Sequence, residues 1–213
     1  QPFDYISEIK LGPKNSIAIS NGELISGAGT NYTPVYLSGN GTAQGNVVFV
    51  GYGINAPELN YNDYANIDVK GKIALMFMHS PGYNNPHDNP FSKYERLRIK
   101  CGAAKEQGAI GVIVIKGPES GEDELIKLRM YGPGENMDIP VMNIKRDYFE
   151  NMFKSSKNMS MSELQKSIDS LRTPMSFDYN GGMSQIITDL IPVKAETNNV
   201  IGMIQGKDPV LKN

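Results

Sequence analysis

Two unbroken apolar runs, Lys72-Ile-Ala-Leu-Met-Phe-Met78 and Gly111-Val-Ile-Val-Ile115, flank a segment in which Leu97, Cys101 and Ala104 recur at helical spacing. Neither run alternates with polar residues, so both read as short strands buried on two faces. A helix predicted over Ser92 to Gln107, with Gly108 in the C-terminal capping position, joins them as strand, helix and parallel strand through a right-handed crossover. An earlier run, Asn46-Val-Val-Phe-Val50, has the same character and ends in Gly51-Tyr-Gly53. The chain must therefore build a partly parallel sheet with helices packed on it, which is a mixed α/β class.

The rest of the chain decorates this unit. Ser16 to Ile19 and Glu23 to Ile25 read as a hairpin over Asn21-Gly22, and Gly39-Asn-Gly41 breaks the chain again. After a polar loop from Gly117 to Gly134, Ile139 to Ile144 is a predicted strand. It leads into a helix whose face carries Tyr148, Phe149, Met152 and Phe153. Composition shifts at Lys154 to Ser162, which reads as a boundary. Ser160 and Glu163 then form a capping box for a helix bearing Leu164, Ile168 and Leu171. Ser184 to Lys194 and Asn198 to Ile204 read as two long strands. Three segments result: 1–43 as N-terminal strands, 44–153 as the central domain, and 154–213 as a helix and strands leading out of it.

With 213 residues the chain suits one large domain, and a formal net charge of -2 without any basic run gives no field that would attract nucleic acid. No stretch approaches the roughly 20 apolar residues of a membrane span. Cys101 stands alone, so no internal disulfide forms, and inside an apolar helix face it reads as a small core residue. Asn31, Asn40 and Asn158 each match the glycosylation acceptor pattern, as an Asn-rich chain does by chance.

Candidate chemistry is sparse. Gly51-Tyr-Gly53-Ile-Asn-Ala56 follows a strand as a dinucleotide-binding loop does, but Pro57-Glu-Leu-Asn-Tyr61 continues no helix that could face a pyrophosphate. A sharp turn at a strand end is the better reading. His79 and His87 are the only histidines; a catalytic zinc takes three protein ligands, so Asp88 would have to join them, and their spacing fits no zinc pattern. Both are expected to be solvent-exposed loop residues. No Gly-x-Ser-x-Gly elbow occurs, and Cys101 lacks the surroundings of a nucleophilic thiol. Glu119, Glu122, Asp123 and Glu124 make an acidic loop of the kind that is usually a solvated surface. Tyr52, Tyr61, Tyr64, Tyr83 and Tyr94 cluster between the first buried strand and the helix, where packing is their expected role. No catalytic, cofactor-binding or metal-binding residue is assigned.

The order of pieces resembles a known family. Val47-Val-Phe-Val-Gly-Tyr-Gly-Ile54, Asp63-Tyr64, Asp68-Val-Lys-Gly-Lys72, Arg96 to Lys100, Ala104, Gly108-Ala109, Gly111-Val-Ile113 and Ile139-Pro140 resemble the protease-associated domain. The version they are most similar to is the one inserted in bacterial di-zinc aminopeptidases of metallopeptidase family 28. Asn198-Asn-Val-Ile-Gly202 with Gly206-Lys-Asp-Pro209 looks like the strand that leads into that family's catalytic domain. The resemblance implies a three-layer fold of two sheet layers and helices. It also implies a non-catalytic role that limits peptide access or mediates protein contacts, and an extracytoplasmic location. The family's zinc ligands and catalytic Glu follow this point, so the expectation is an accessory domain whose partner is its own catalytic domain, with two zinc ions in the complete parent and none here. A free-standing recognition module is the alternative, and an enzyme complete in itself, dependent on His79 or His87, is a third. Terminal strands cut from a sheet would expose edges, which predicts a homodimer through residues 184–204.

Overall fold

The central apolar runs are fully buried because they carry no polar side chain to leave on either face: Val48, Phe49, Ile73 to Phe77 and Val112 to Ile115 are each at 0% exposure. The computed structural model describes residues 2–20, 22–85, 87–128 and 136–198. In chain order the strands are β1 (Pro2–Leu11), β2 (Ser16–Ile19), β3 (Glu23–Ile25), β4 (Tyr32–Pro34), β5 (Gly41–Phe49), β6 (Asn55–Ala56), β7 (Tyr61–Asn62), β8 (Ile73–Phe77), β9 (Gly111–Ile115), β10 (Val141–Ile144), β11 (Phe177–Thr188) and β12 (Leu190–Asn198). The helices are α1 (Leu97–Glu106), α2 (Glu150–Lys157) and α3 (Met161–Leu171).

One eight-stranded sheet runs β3-β2-β11-β5-β8-β9-β10-β4. Its centre, from β5 through β8 and β9 to β10, is parallel, and its outer pairings are antiparallel. The mixed α/β expectation is met. The strands expected in two sheet layers are joined into one sheet by β11, which pairs with β2 on one side and β5 on the other. Residues of all three expected segments therefore share this sheet.

Strand alternation sorts the core. Val47, Phe49, Ile73, Leu75, Phe77, Ile113 and Ile115 meet Phe153 of α2 and Leu164 and Ile168 of α3. Val48, Val50, Ala74, Met76, Val112 and Val114 meet Cys101 and Ala104 of α1. Helices thus cover both faces of the parallel centre. The capping box is present: Ser160 accepts the Glu163 N–H at 3.2 Å, and the Glu163 carboxylate accepts the Ser160 N–H at 2.8 Å.

Several expectations change. The helix predicted after β10 begins at Glu150, so Tyr148 and Phe149 precede it in a tight turn. The helix predicted from Ser92 begins at Leu97, because Ser92–Tyr94 is a single tight turn and Arg96 is extended. Phe91 anchors that turn, buried edge-on against Tyr61 at 4.9 Å. The strand predicted over Ser184 to Lys194 is two strands that part at Asp189. There the side chain of Asn15 donates to Asp189 O at 2.8 Å and accepts the Asp189 N–H at 2.7 Å. Asn40 does the same for Leu190, at 2.9 and 2.8 Å. Two side-chain amides thus take over the ladder at the point where the chain leaves the sheet. Beyond it, β12 pairs with β1 as a separate antiparallel ribbon with a bulge at Ser7. The strand expected from Asn198 to Ile204 lies, after its first residue, outside the described residues, as do Asn21 of the hairpin and 129–134 of the polar loop.

Candidate functional site

Polar groups converge where the parallel strands end, the crest at which open α/β sheets place their sites. β5 runs into Gly51-Tyr-Gly53, whose glycines have φ of 51° and 70°. Here glycine is required: a Cβ on Gly51 would fall on the Asp63 carboxylate. The Asp63 side chain sits under this turn, accepting the N–H groups of Tyr52 at 3.1 Å and Ile54 at 2.9 Å and the hydroxyl of Tyr61 at 2.9 Å. The backbone donors that could cradle a phosphate are therefore occupied by a carboxylate of the same chain, which bears out the reading of this segment as a turn.

Lys100 comes to the same crest from α1, 1% exposed. Its ammonium donates to Phe77 O at 2.6 Å and His79 O at 2.7 Å, and lies 5.7 Å from the centre of the Tyr52 ring. These bonds tie α1 to the end of β8. Burial pushes the Asp63 carboxyl up to about 7 against the pull of its donors and of Lys100. Burial likewise pulls Lys100 down to about 7, opposed by Cys101 and Asp63. Each charge is held in the interior first by its own hydrogen bonds, with the other as a more distant opposite charge.

Above them Tyr52 donates its hydroxyl to Asp169 at 2.6 Å and accepts from Gln165 at 3.0 Å. Gln165 also reaches Ser120 at 3.1 Å and accepts the Glu119 N–H at 2.9 Å. This chain of bonds fastens α3 to the loop after β9. The constellation has no exposed nucleophile beside a base, and its polar atoms are spent on one another. What it does is hold three strand ends and two helices in register.

His79 departs from expectation. It is half-buried with φ of 64°, a conformation uncommon for a residue other than glycine, and stacks on Tyr83 at 3.7 Å. Burial, with Lys100 nearby, lowers its imidazole to about 4, so it is a neutral part of the crest and not a free loop histidine. His87 is exposed as expected. Asp88 pairs with Arg172 at 2.8 Å. Among the described residues no group of three or more His, Cys, Asp or Glu side chains could hold a metal ion. The Cys101 thiol is buried and pushed up to about 12, which leaves it inert.

The acidic loop is tied down. Asp123 accepts the Arg146 N–H at 2.9 Å, the Arg146 guanidinium donates to Gly121 O at 2.9 Å, and Glu119 accepts from Ser162 at 2.7 Å. Tyr52, Tyr61 and Tyr64 are core residues, whereas Tyr83 is 40% exposed. Sequence reasoning missed the burial of Asp63 and Lys100 at the same crest. A signal was present: Lys100 lies three residues after Leu97 and four before Ala104, on the apolar stripe itself.

Comparison with known proteins agrees with this architecture. Residues 30–151 match the family model of the PA domain, more than half of the chain, and the chain belongs to that family. Solved structures to which the chain has some similarity include an aminopeptidase from Aneurinibacillus sp., with 16% identity over 92% of this chain and 36% of that one at a TM-score of 0.49. A peptidase M28 precursor from Shewanella amazonensis has 13% identity over 92% and 38% at 0.47. A zinc aminopeptidase from Bacillus subtilis has 18% over 92% and 35% at 0.37. The chain spans somewhat over a third of the length of these proteins. Curated proteins give no significant match.

Proposed function

We propose that this chain is the non-catalytic protease-associated part of a zinc-dependent aminopeptidase, modulating substrate access or protein contacts beside a catalytic domain of the same polypeptide. The observation that carries the reading is the β1–β12 ribbon. Pro2–Leu11 and Leu190–Asn198 run as hydrogen-bonded antiparallel neighbours outside the main sheet, an arrangement that suits a module inserted into another domain. Tyr5, Ile6, Leu11 and Ile191 remain 36 to 47% exposed on this ribbon, apolar surface suited to a neighbouring domain. The motif order that resembles the inserted domain of family 28 enzymes supports the same parent, with its two zinc ions held elsewhere and an extracytoplasmic location.

Self-association through residues 184–204 would use the outer edge of β12, since β11 has partners on both sides. Two experiments test the proposal. Sequencing the gene beyond Asn213 should reveal a His-x-Asp pattern; a stop codon there would favour a free-standing recognition module. The purified chain, supplied with zinc, should leave an aminoacyl anilide intact. Turnover that disappears on replacing His79 or His87 would overturn the reading.

A further inference from the structure

A cavity of about 330 Å³ opens where the β2–β3 hairpin, the turn after β10 and the bulged half of β11 meet. Ile19, Val47 and Met152 give it an apolar floor, and Glu23 and Asp147 stand at it from different elements. Both carboxylates are exposed, and among the described residues neither forms an ion pair with a lysine or arginine. The nearest basic residue in sequence, Arg146, is turned away to the carbonyls of Gly117 and Gly121.

Two aromatic rings complete the walls. Tyr148 is 36% exposed in the turn after β10. Tyr179 is held in place by the bulge of β11: its ring lies across Gly181, where a Cβ would collide with it, and its hydroxyl bonds to Ser20 Oγ at 3.1 Å. The cavity thus combines two carboxylates without an ion pair among the described residues, two tyrosine rings and apolar lining from Ile19, Val47 and Met152. Those features repel anions and leave a purely apolar guest with two carboxylates to desolvate.

We propose that this cavity binds an arginine side chain presented by a peptide or protein partner. The guanidinium is planar, stacks on tyrosine rings, is weakly hydrated and bonds carboxylates with a fixed fork; its methylene stem covers the floor. A lysine ammonium is a compact, strongly hydrated charge that uses the rings less well. The inference goes beyond the accessory-domain reading, which rests on the ribbon and stands or falls separately.

The test is titration of the isotope-labelled full chain with acetyl-Gly-Arg-Gly-amide, followed by NMR, against the same peptide with Lys or Glu in place of Arg. Saturable shifts are expected at Ser20, Glu23, Tyr148, Asn151 and Tyr179, with weaker binding of the lysine peptide and none of the glutamate peptide. Glu23→Gln and Asp147→Asn should each weaken binding about threefold, as exposed ion pairs do, and Tyr148→Ala should weaken it by a similar factor. All three changes are on exposed side chains that the core does not need. No saturable shift, shifts on another face, equal binding of the lysine peptide, or unchanged binding by the double Glu23→Gln/Asp147→Asn variant would each overturn the proposal.

Discussion

The carboxylate of Asp63 accepts the backbone N–H of Tyr52 at 3.1 Å, through the oxygen that also accepts the N–H of Ile54 at 2.9 Å. Asp63→Asn keeps the size of the side chain and removes an acceptor. If the amide oxygen stays beneath the turn, its NH2 faces the Tyr61 hydroxyl; if it turns over, two buried N–H groups lose their partner. Lys100 also loses one of the opposite charges that act on it. The expected cost is about 3 kcal/mol, read as a lower urea midpoint with an unchanged slope. A loss below about 1 kcal/mol would mean that the turn does not depend on this anion.

Lys100→Met retains most of the aliphatic stem but leaves Phe77 O and His79 O without the ammonium. A loss of about 3 kcal/mol is expected for leaving two carbonyls without their charged donor. The double variant Asp63→Asn/Lys100→Met should lose less than the sum of the singles by about 1 kcal/mol or more. Strict additivity would show that the two groups act independently.

Asn40 holds both backbone groups of Leu190 where β12 departs from the sheet. Asn40→Ala should speed amide exchange at Leu190 and along β1 and β12 by an amount equivalent to about 1–2 kcal/mol. Exchange in β8 and β9 should be unchanged. Equal exchange of the ribbon in the variant and the parent would remove Asn40 as the clamp on the ribbon's root.

His79 titrates at about 4 in the folded chain against an ordinary 6.5, lowered first by burial. Between those values the unfolded chain takes up a proton that the folded chain refuses, so stability falls as pH drops from 6.5 to 4 and the contribution is constant below. His79→Asn should remove about 1 kcal/mol of this acid loss, the half-exposed ring being partly screened. Asparagine also tolerates the positive φ better than most residues. Thermal unfolding of both proteins across that pH range checks the slope; an unchanged slope would assign the acid loss elsewhere.

Regular features were legible in the residues because their causes are local. Runs without polar side chains became buried strands, the Ser160–Glu163 pair capped α3, and Gly108 closed α1. The order of motifs from Val47 to Pro140 resembles the PA domain, the family whose model matches residues 30–151. Other features were hidden because their causes join distant residues. Asp189 is an ordinary position until Asn15 and Asn40, 174 and 150 residues before the backbone they hold, replace its ladder partners.

The sequence by itself determined which segments must be buried, their period, and hence a sheet with a parallel centre and helices on it, since hydrophobic pattern and turn chemistry act within a few residues. Only the tertiary structure decided that a lysine on an apolar helix face and an aspartate after a glycine turn would share one interior, and that the chain would leave the sheet at Asp189 to form a ribbon. Those outcomes depend on which elements meet in space, where desolvation must be offset by partners that linear spacing does not specify.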